Sequence, residues 1–514
     1  MPGFVSIVGA GPWDPELLTL AARDRLAEAE VVIADYLVNP ATLVHCAPEA
    51  QVYQRIAGPH DGPKLDQARV NELMVEHALR GARVVRLKGG DPMIFGRGAE
   101  EAAYLREHGV DYEFVPGVSS AVAAPETAGI PVTHREHTPA VSFVSGWEAY
   151  EKAGLSVNWE NLARSAGTLV LLMSVKNCRT NAAKLIEAGR NPETPAAVVR
   201  WGTRGIQRTV VATLATIGDA IDRAGIRAPA VLVVGEVVAL REQIAWFESR
   251  PLHGRRVLVT RSIPQSAGLL RRLSRVGADA VVFPCLAVAP PEDPGALDAA
   301  LRRLDEVDGV VVSSPNGARA LLDGLQKLEL DARALAGRTV AAIGTGTADV
   351  LRDGGLRPDL LPERARSEGL VDEMRRHGVL DLRWLHFRAA EGRSLLGEAI
   401  EAAGGSYQLV LAYRSVRPEV PTLLLRSLAP PEEGGEGFDA VFFASGKAAR
   451  HFLETAGALR GEDALREQLA ASKVVALGPV TRDAVEALGI RVDAVADATT
   501  DEAAVEAIRR ALQA

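Results

Sequence analysis

Residues 84–98, VVRLKGGDPMIFGRG, hold the densest chemical pattern in the chain: an apolar strand runs into Gly89-Gly90-Asp91-Pro92 and then into a second glycine pair around Arg97. Adjacent glycines let the backbone take positive φ and approach a flat ligand closely, and Asp91 adds an acceptor beside exposed amides. The loop lacks the Lys-Ser/Thr of a phosphate loop and the spacing of a dinucleotide fingerprint, so it predicts a cofactor other than a nucleoside triphosphate or a nicotinamide dinucleotide. A second turn, GAGP at residues 9–12, precedes Asp14 and a helix-like run. An aspartate there also serves as a plain helix cap, and GAGP alone suits a flavin or nicotinamide oxidoreductase as well.

Strand-like and helix-like runs must position these loops. FVSIVGAG is followed by ELLTLAARDRLAEA and VVIADYL, and ARVVRLKGG by GAEEAAYLREHG. The alternation predicts βαβ units, an α/β fold and parallel sheet, with chemistry in the loops after residues 8, 34 and 88, at the carboxyl ends of strands. With 514 residues the chain exceeds a single core. A first division is expected near residues 115–131, where Gly, Ser and Pro interrupt the pattern, and a stronger one where GRRVLVTRS (254–262) restarts it. Two Pro-rich connectors, AVAPPEDPG (287–295) and SVRPEVP (415–421), enclose a middle block, which predicts an inserted lobe joined to a discontinuous one by a paired hinge. The expected organisation is lobes at about 1–116 and 117–250, then a lobe of 254–288 plus 418–514 around an inserted lobe of 289–417.

A net charge of −8 gives no general attraction for nucleic acid or an anionic membrane. Cys46, Cys178 and Cys285 are scattered, without the spacing of a disulfide framework or a metal site, which fits buried thiols in a reducing compartment. The start, MPGFVSIVGAGP, has no charged region before a long apolar run, and APAVLVVGEVVAL (228–240) is too short to span a bilayer. A cytoplasmic protein without metal, nucleic-acid or membrane partners is expected.

The combination of GAGPWDPELLTL, VVRLKGGDPMIFGRG, VPGVSSA, AGIPVTHR, TPAAVVRWGTRGIQR and PAVLVVGEVVALR, in this order, resembles the tetrapyrrole methylases, specifically the uroporphyrinogen-III C-methyltransferases, over roughly the first 250 residues. The resemblance implies two α/β lobes, a homodimer and S-adenosylmethionine in the cleft between the lobes. It places cofactor contacts at Pro12, Gly89, Gly90, Asp91, Ile94, Ser119, Ser120, Met173 and Gly202; on side-chain chemistry alone Met173 reads as core filling. The implied reaction is methylation of two pyrrole β-carbons of uroporphyrinogen III to precorrin-2. Asp35 matches the proton acceptor, although a strand-end carboxylate is also ordinary. The departures lie on the substrate side. Tyr36 stands where the family has arginine, Trp147 where it has histidine, and Arg55 where it has the lysine assigned as proton donor. An arginine is effectively never a proton donor near neutral pH, so Arg55 becomes an anion clamp.

In the second half, GVVVSSPNGARALL, TVAAIGTGTADVLRDGG, FDAVFFASGKAARHFLE and VVALGPVTRDAVEALGI each run strand, small-residue loop, helix. Helix starts of this kind suit carboxylates, and each is equally an ordinary cap. With RAAEGRSLLGEAIEAAGGSYQLVLAYRSV they resemble uroporphyrinogen-III synthase over roughly residues 254–514. The resemblance implies a two-lobed fold with hydroxymethylbilane bound between the lobes, and closure to uroporphyrinogen III after loss of the terminal hydroxyl. Tyr413 matches the tyrosine proposed to assist that loss, with packing at the hinge as the other reading. Ser313, Ser314, Gly344, Thr345, Ser445, Lys447 and Gly478 are candidates for holding product carboxylates, with Arg388, Arg393 and Arg414 as local positive charge. The reading is a bifunctional enzyme of tetrapyrrole biosynthesis, whose product serves siroheme, cobalamin or another tetrapyrrole. The alternative is a methyltransferase of another tetrapyrrole with a non-catalytic ligand-binding or regulatory second half.

Overall fold

The computed structural model describes residues 3–47, 49–54, 65–147, 157–164, 167–390, 395–418, 428 and 437–513. Strands β1 (Phe4–Gly9), β2 (Val31–Ala34), β3 (Gln51–Gln54), β4 (Arg83–Lys88) and β5 (Asp111–Val115) form a parallel sheet in the order β3-β2-β4-β1-β5. Helices α1 (Leu20–Glu28), α2 (Gln67–Leu79) and α3 (Gly98–Glu107) make the crossovers. In α2, Asp66 caps the start by accepting from Arg69 N at 2.8 Å, and Val70, Leu73, Met74 and Ala78 face the core at helical spacing. Gly9 lies opposite Lys88 and Ala34 opposite Leu87, so β1, β2 and β4 end at one level and their loops leave the same sheet edge.

The second sheet, β6 (Val141–Ser145), β7 (Thr168–Leu172), β8 (Pro195–Arg200), β9 (Arg208–Thr213) and β10 (Ala230–Val234), has the order β6-β7-β10-β8-β9. Only β6 and β7 pair in parallel; the other pairs are antiparallel, which corrects the expectation of parallel sheet throughout. The segment 201–207 between β8 and β9 is too short for a crossover, so the two strands must run antiparallel. Helix α4 (Ser120–Thr127) packs Ala121 and Ala124 against Val170, Ala197, Val231 and Val233 of this sheet.

Beyond these lie β11 (Arg256–Val259), β12 (Asp279–Val282), β13 (Ala287–Ala289), β14 (Gly309–Val312), β15 (Thr339–Ala342), β16 (Arg383–Ala389), β17 (Ser406–Val416), β18 (Ala440–Phe443), β19 (Lys473–Ala476) and β20 (Ala494–Val495). They form sheets ordered β12-β11-β18-β19-β20 and β13-β17-β16-β14-β15. The chain divides into two compact units, Leu286–Pro418 and the remainder. Within the smaller unit the two Pro-rich connectors begin as paired strand, with Ala287 opposite Val416 and Ala289 opposite Arg414. Among the described residues no helix is long and apolar enough to cross a membrane, and no cluster of His, Cys, Asp and Glu could hold a metal ion.

Candidate functional site

The turns after β1, β4 and β5 interlock through their backbones. Gly90 N donates to Gly11 O at 2.8 Å and Gly11 N to Gly90 O at 3.2 Å, joining the GAGP and GGDP turns. Asp91 Oδ2 accepts from Gly117 N at 3.1 Å and its Oδ1 from Met93 N at 2.8 Å. The carboxylate read as an acceptor for a ligand is therefore engaged in tying two loops together. Ser119 Oγ accepts from Ala121 N at 3.2 Å and caps α4, of which Ser120 is the first residue. Gly117 sits at the centre: a Cβ there would fall on Gly90 O and lie 2.7 Å from Gly9 Cα. Gly90, at φ 72°, is different, because a Cβ on it would meet nothing closer than Ser120 N at 3.8 Å. It faces an open cradle.

The 201–207 turn of the second sheet closes on this group. Thr203 Oγ1 donates to Pro12 O at 2.6 Å, and Gly202 lies so close to α4 that its Cβ would be 2.7 Å from Ala124 Cα. Gln207 is fully buried and its Oε1 accepts from Thr203 N at 3.0 Å and Thr127 Oγ1 at 2.7 Å, holding turn and helix together. Pro12, Gly90, Asp91, Ser119, Ser120 and Gly202 are thus gathered by close contacts, with Gly89 adjoining Gly90 in the chain and half-buried Ile94 on the GGDP loop. Met173 lies just past β7 at φ 56° and 43% exposed, so it is not core filling. Asp14 accepts from Glu16 N at 3.0 Å, as the cap reading expects.

Asp35 follows β2 and belongs to a buried ion cluster. Arg86 and Lys88 alternate along β4 and so share one face. Arg86 Nη2 donates to Asp35 Oδ1 at 2.6 Å, and Lys88 Nζ is 3.9 Å from Asp35 Oδ2. Both cations also reach Glu101 Oε1 on α3, at 3.0 and 2.9 Å. The Asp35 side chain is 20% exposed while the other three are at most 3% exposed, so Asp35 is where the cluster meets solvent. Burial lowers the Lys88 pKa, helped by the adjacent Arg86 charge. Burial also opposes the Arg86 charge, but Asp35 and Glu101 outweigh it and the Arg86 pKa is raised. Sequence reasoning missed Arg86, Lys88 and Glu101, although charges at i and i+2 in an otherwise apolar strand are a signal of a buried, paired face. Tyr36 is 40% and Trp147 55% exposed. Arg55 lies outside the described residues.

In the second half the predicted carboxylate-binding residues sit at or beside the starts of helices. Ser314 accepts from Gly317 N at 3.1 Å at the head of helix α5 (Pro315–Lys327), with Ser313 just before it. Gly344 and Thr345 open helix α6 (Thr345–Asp353). These four belong to the smaller unit, together with Tyr413, whose OH is 3.0 Å from Ser314 Oγ. Ser445, Lys447 and Gly478 belong to the larger unit, at the heads of helices α7 (Gly446–Arg460) and α8 (Pro479–Glu486). Arg414 Nε donates to Pro290 O at 3.2 Å, Arg388 lies on β16, and Arg393 is outside the described residues.

His386 on β16 gives the smaller unit a defined pH response. It is 4% exposed, with Nδ1 2.9 Å from Tyr407 OH, and burial followed by the nearby Arg388 charge lowers its pKa to about 3. Between the ordinary histidine value of about 6.5 and this lowered value the unfolded chain binds a proton that the folded unit does not. Stability is therefore unaffected above that window and falls as pH drops through it, by about 2 kcal/mol between pH 7 and 5. Hydrogen exchange over residues 383–389, corrected for intrinsic rates, should show this loss in the wild type and a flattened one in His386→Phe. Parallel losses in both proteins would exclude His386 as the source.

Two sheets of an α/β architecture bring glycine turns together around an open position at Gly90, at the sheet edge that also carries Asp35, and a second α/β region with small-residue helix starts follows. The chain is 37% identical over 361 residues to "Porphyrin biosynthesis protein HemD" of Ruminiclostridium josui, covering 70% of this chain and 71% of that protein. It is 36% identical over 382 residues to "Uroporphyrinogen-III C-methyltransferase" of Bacillus subtilis, covering 73% and 78%. The chain belongs to the tetrapyrrole (corrin/porphyrin) methylases and carries a uroporphyrinogen-III synthase region after the methylase region. The two family models, described as "Tetrapyrrole (Corrin/Porphyrin) Methylases" and "Uroporphyrinogen-III synthase HemD", match residues 5–218 and 268–506. A third relative, "S-adenosyl-L-methionine-dependent uroporphyrinogen III methyltransferase" of Methanosarcina barkeri, is 46% identical over 242 residues, covering 47% of this chain and 94% of its own. Both regions are of tetrapyrrole biosynthesis.

Proposed function

We propose that the second half closes hydroxymethylbilane to uroporphyrinogen III and that the first half methylates this product twice, with S-adenosylmethionine as donor, to precorrin-2. The observation that carries the reading is the convergence of the Gly9–Pro12, Gly89–Asp91, Gly117–Ser120 and Gly202–Thr203 turns around an open cradle at the sheet edge where Asp35 sits. The name of the Methanosarcina relative supports the donor and acceptor, and the name of the Ruminiclostridium relative supports the second half.

The cradle suits the donor: it is open at Gly90 and built from turns whose backbone amides and carbonyls can hold polar groups, and the family resemblance would add the apolar side chains of Ile94 and Met173 as its border. Pro12, Gly89, Gly90, Asp91, Ile94, Ser119, Ser120, Met173 and Gly202 would hold the donor, which when bound supplies a methyl group already activated on a sulfonium. A pyrrole β-carbon that gains the methyl releases S-adenosylhomocysteine and leaves the macrocycle positively charged; a proton lost from elsewhere on the macrocycle restores neutrality, and Asp35 accepts it. Arg86 fixes the Asp35 carboxylate on one oxygen, with the Lys88 ammonium near the other. The Arg55 guanidinium would bind a substrate carboxylate.

In the second half Tyr413, oriented by Ser314, assists departure of the terminal hydroxyl. The reacting ends are brought together by binding, which supplies much of the rate. Helix starts at Ser314, Gly344, Ser445 and Gly478 present amides suited to the substrate's carboxylates. The protein acts as a homodimer through its first half, which sedimentation would test. Each activity has its own assay under anaerobic conditions. Hydroxymethylbilane without donor should give the type III isomer, and type I product at the spontaneous rate would overturn the synthase assignment. Uroporphyrinogen III with donor should gain two methyl groups, and an unchanged mass would overturn the methyltransferase assignment.

A further inference from the structure

Arg204 lies two residues beyond Gly202 and its side chain is fully buried. Its guanidinium lies over two indoles that meet edge to face, 4.1 Å from the ring centre of Trp13 and 4.4 Å from that of Trp201. Trp13 follows Pro12 and Trp201 precedes Gly202, so one cation clasps both turns. Stacking of a buried guanidinium on tryptophan is among the stronger cation–π arrangements. The backbone here is held against its own preference: Trp13, Trp201 and Thr203 have φ of 103°, 51° and 73°. Bulky L residues keep such conformations only where their surroundings enforce them.

The carboxylate that fixes the clasp comes from the other half of the chain. Asp279, at the start of β12 and 2% exposed, accepts from Arg204 Nε at 3.1 Å on Oδ1 and from Nη2 at 2.8 Å on Oδ2, a fork-on-carboxylate pairing that sets the guanidinium plane. Arg256 Nε on β11 lies 3.2 Å from Asp279 Oδ2. Burial alone would push the Asp279 carboxyl up, and the two arginines outweigh it and hold it below the usual range. The contact continues along the backbone, where Gly254 N donates to Gly205 O at 2.7 Å. A Cβ on Gly205 would fall on the backbone of Gly277–Asp279.

Building on the reading of the Pro12 and Gly202 turns as methyl-donor loops, we propose that Asp279 is a positioning residue for the methyltransferase site. By fixing Arg204 it keeps both turns in shape, so the second half of the chain sets the donor affinity of the first.

Calorimetric titration of the full chain with S-adenosylhomocysteine tests this. The wild type is titrated first, and failure to bind there would defeat the donor reading itself rather than the coupling. Asp279→Asn keeps the size and one acceptor but loses the charge, and is expected to weaken binding about tenfold. In turnover its KM for S-adenosylmethionine should rise by about the same factor while kcat at saturating donor stays within about twofold, because saturation restores occupancy. Arg204→Lys keeps the charge but loses the planar fork, leaves Asp279 paired with Arg256, and should weaken binding similarly even if Asp279→Asn fails to fold. Conversion of hydroxymethylbilane at the wild-type rate would show that the second half of each variant is folded. Wild-type affinity in either folded variant, or a fall in kcat with KM unchanged, would overturn the proposal.

Discussion

Replacing Asp35 with asparagine is expected to slow methylation of uroporphyrinogen III by about a hundredfold or more, the scale of a lost general base. Cyclisation of hydroxymethylbilane should be unchanged. The substitution separates proton transfer from architecture, because an asparagine oxygen can still accept the 2.6 Å hydrogen bond from Arg86 Nη2. Both buried cations also retain Glu101, at 3.0 Å from Arg86 and 2.9 Å from Lys88; with one carboxylate left for two cations, Lys88, whose pKa burial already lowers, can shed its proton and keep the cluster neutral. Affinity for S-adenosylhomocysteine should therefore stay within about threefold of the wild type, less than 1 kcal/mol. Methylation at the wild-type rate would move the base elsewhere, and equal loss of both activities would deny that the sites are separate.

Gly117→Ala is expected to weaken S-adenosylhomocysteine binding by about ten- to a hundredfold, the equivalent of the 1–3 kcal/mol typical of forcing a methyl group into a filled site. Its Cβ would fall on the Gly90 carbonyl oxygen and 2.7 Å from Gly9 Cα, both backbone atoms that cannot swing aside. The GAGP, GGDP and PGVSS turns would have to part, straining the Gly117 N–Asp91 and Gly90–Gly11 hydrogen bonds. Cyclisation should persist. Unchanged affinity in calorimetry would mean that the three turns can separate without disturbing the donor cradle.

The sequence made the cradle visible because glycines and their spacing encode positive φ and close approach directly, and the Gly-Gly-Asp-Pro and Gly-Ala-Gly-Pro turns do meet in space. Which glycines face the ligand and which face one another was not legible: Gly90 opens on the cradle and Gly117 is packed, a distinction that depends on contacts between residues 9, 90 and 117. The sequence marks Asp91 as an acceptor, but not that two backbone amides, of Met93 and Gly117, already engage it. The partners of Asp35 are less legible, since Arg86 and Lys88 stand in an otherwise apolar strand and only the fold brings them to the carboxylate. Strand direction in the second sheet followed from the short 201–207 connection, which the strand–helix alternation elsewhere obscured. Nothing local to Asp279 marks it, because its partner Arg204 is 75 residues away and in the other half of the chain.

The most direct test of the central claim is an anaerobic incubation of the full chain with hydroxymethylbilane and S-adenosylmethionine labelled in its methyl group, followed by isomer analysis and mass measurement of the tetrapyrrole. The account predicts a type III macrocycle carrying two labelled methyl groups. A type I macrocycle, or a type III macrocycle without label, would contradict it.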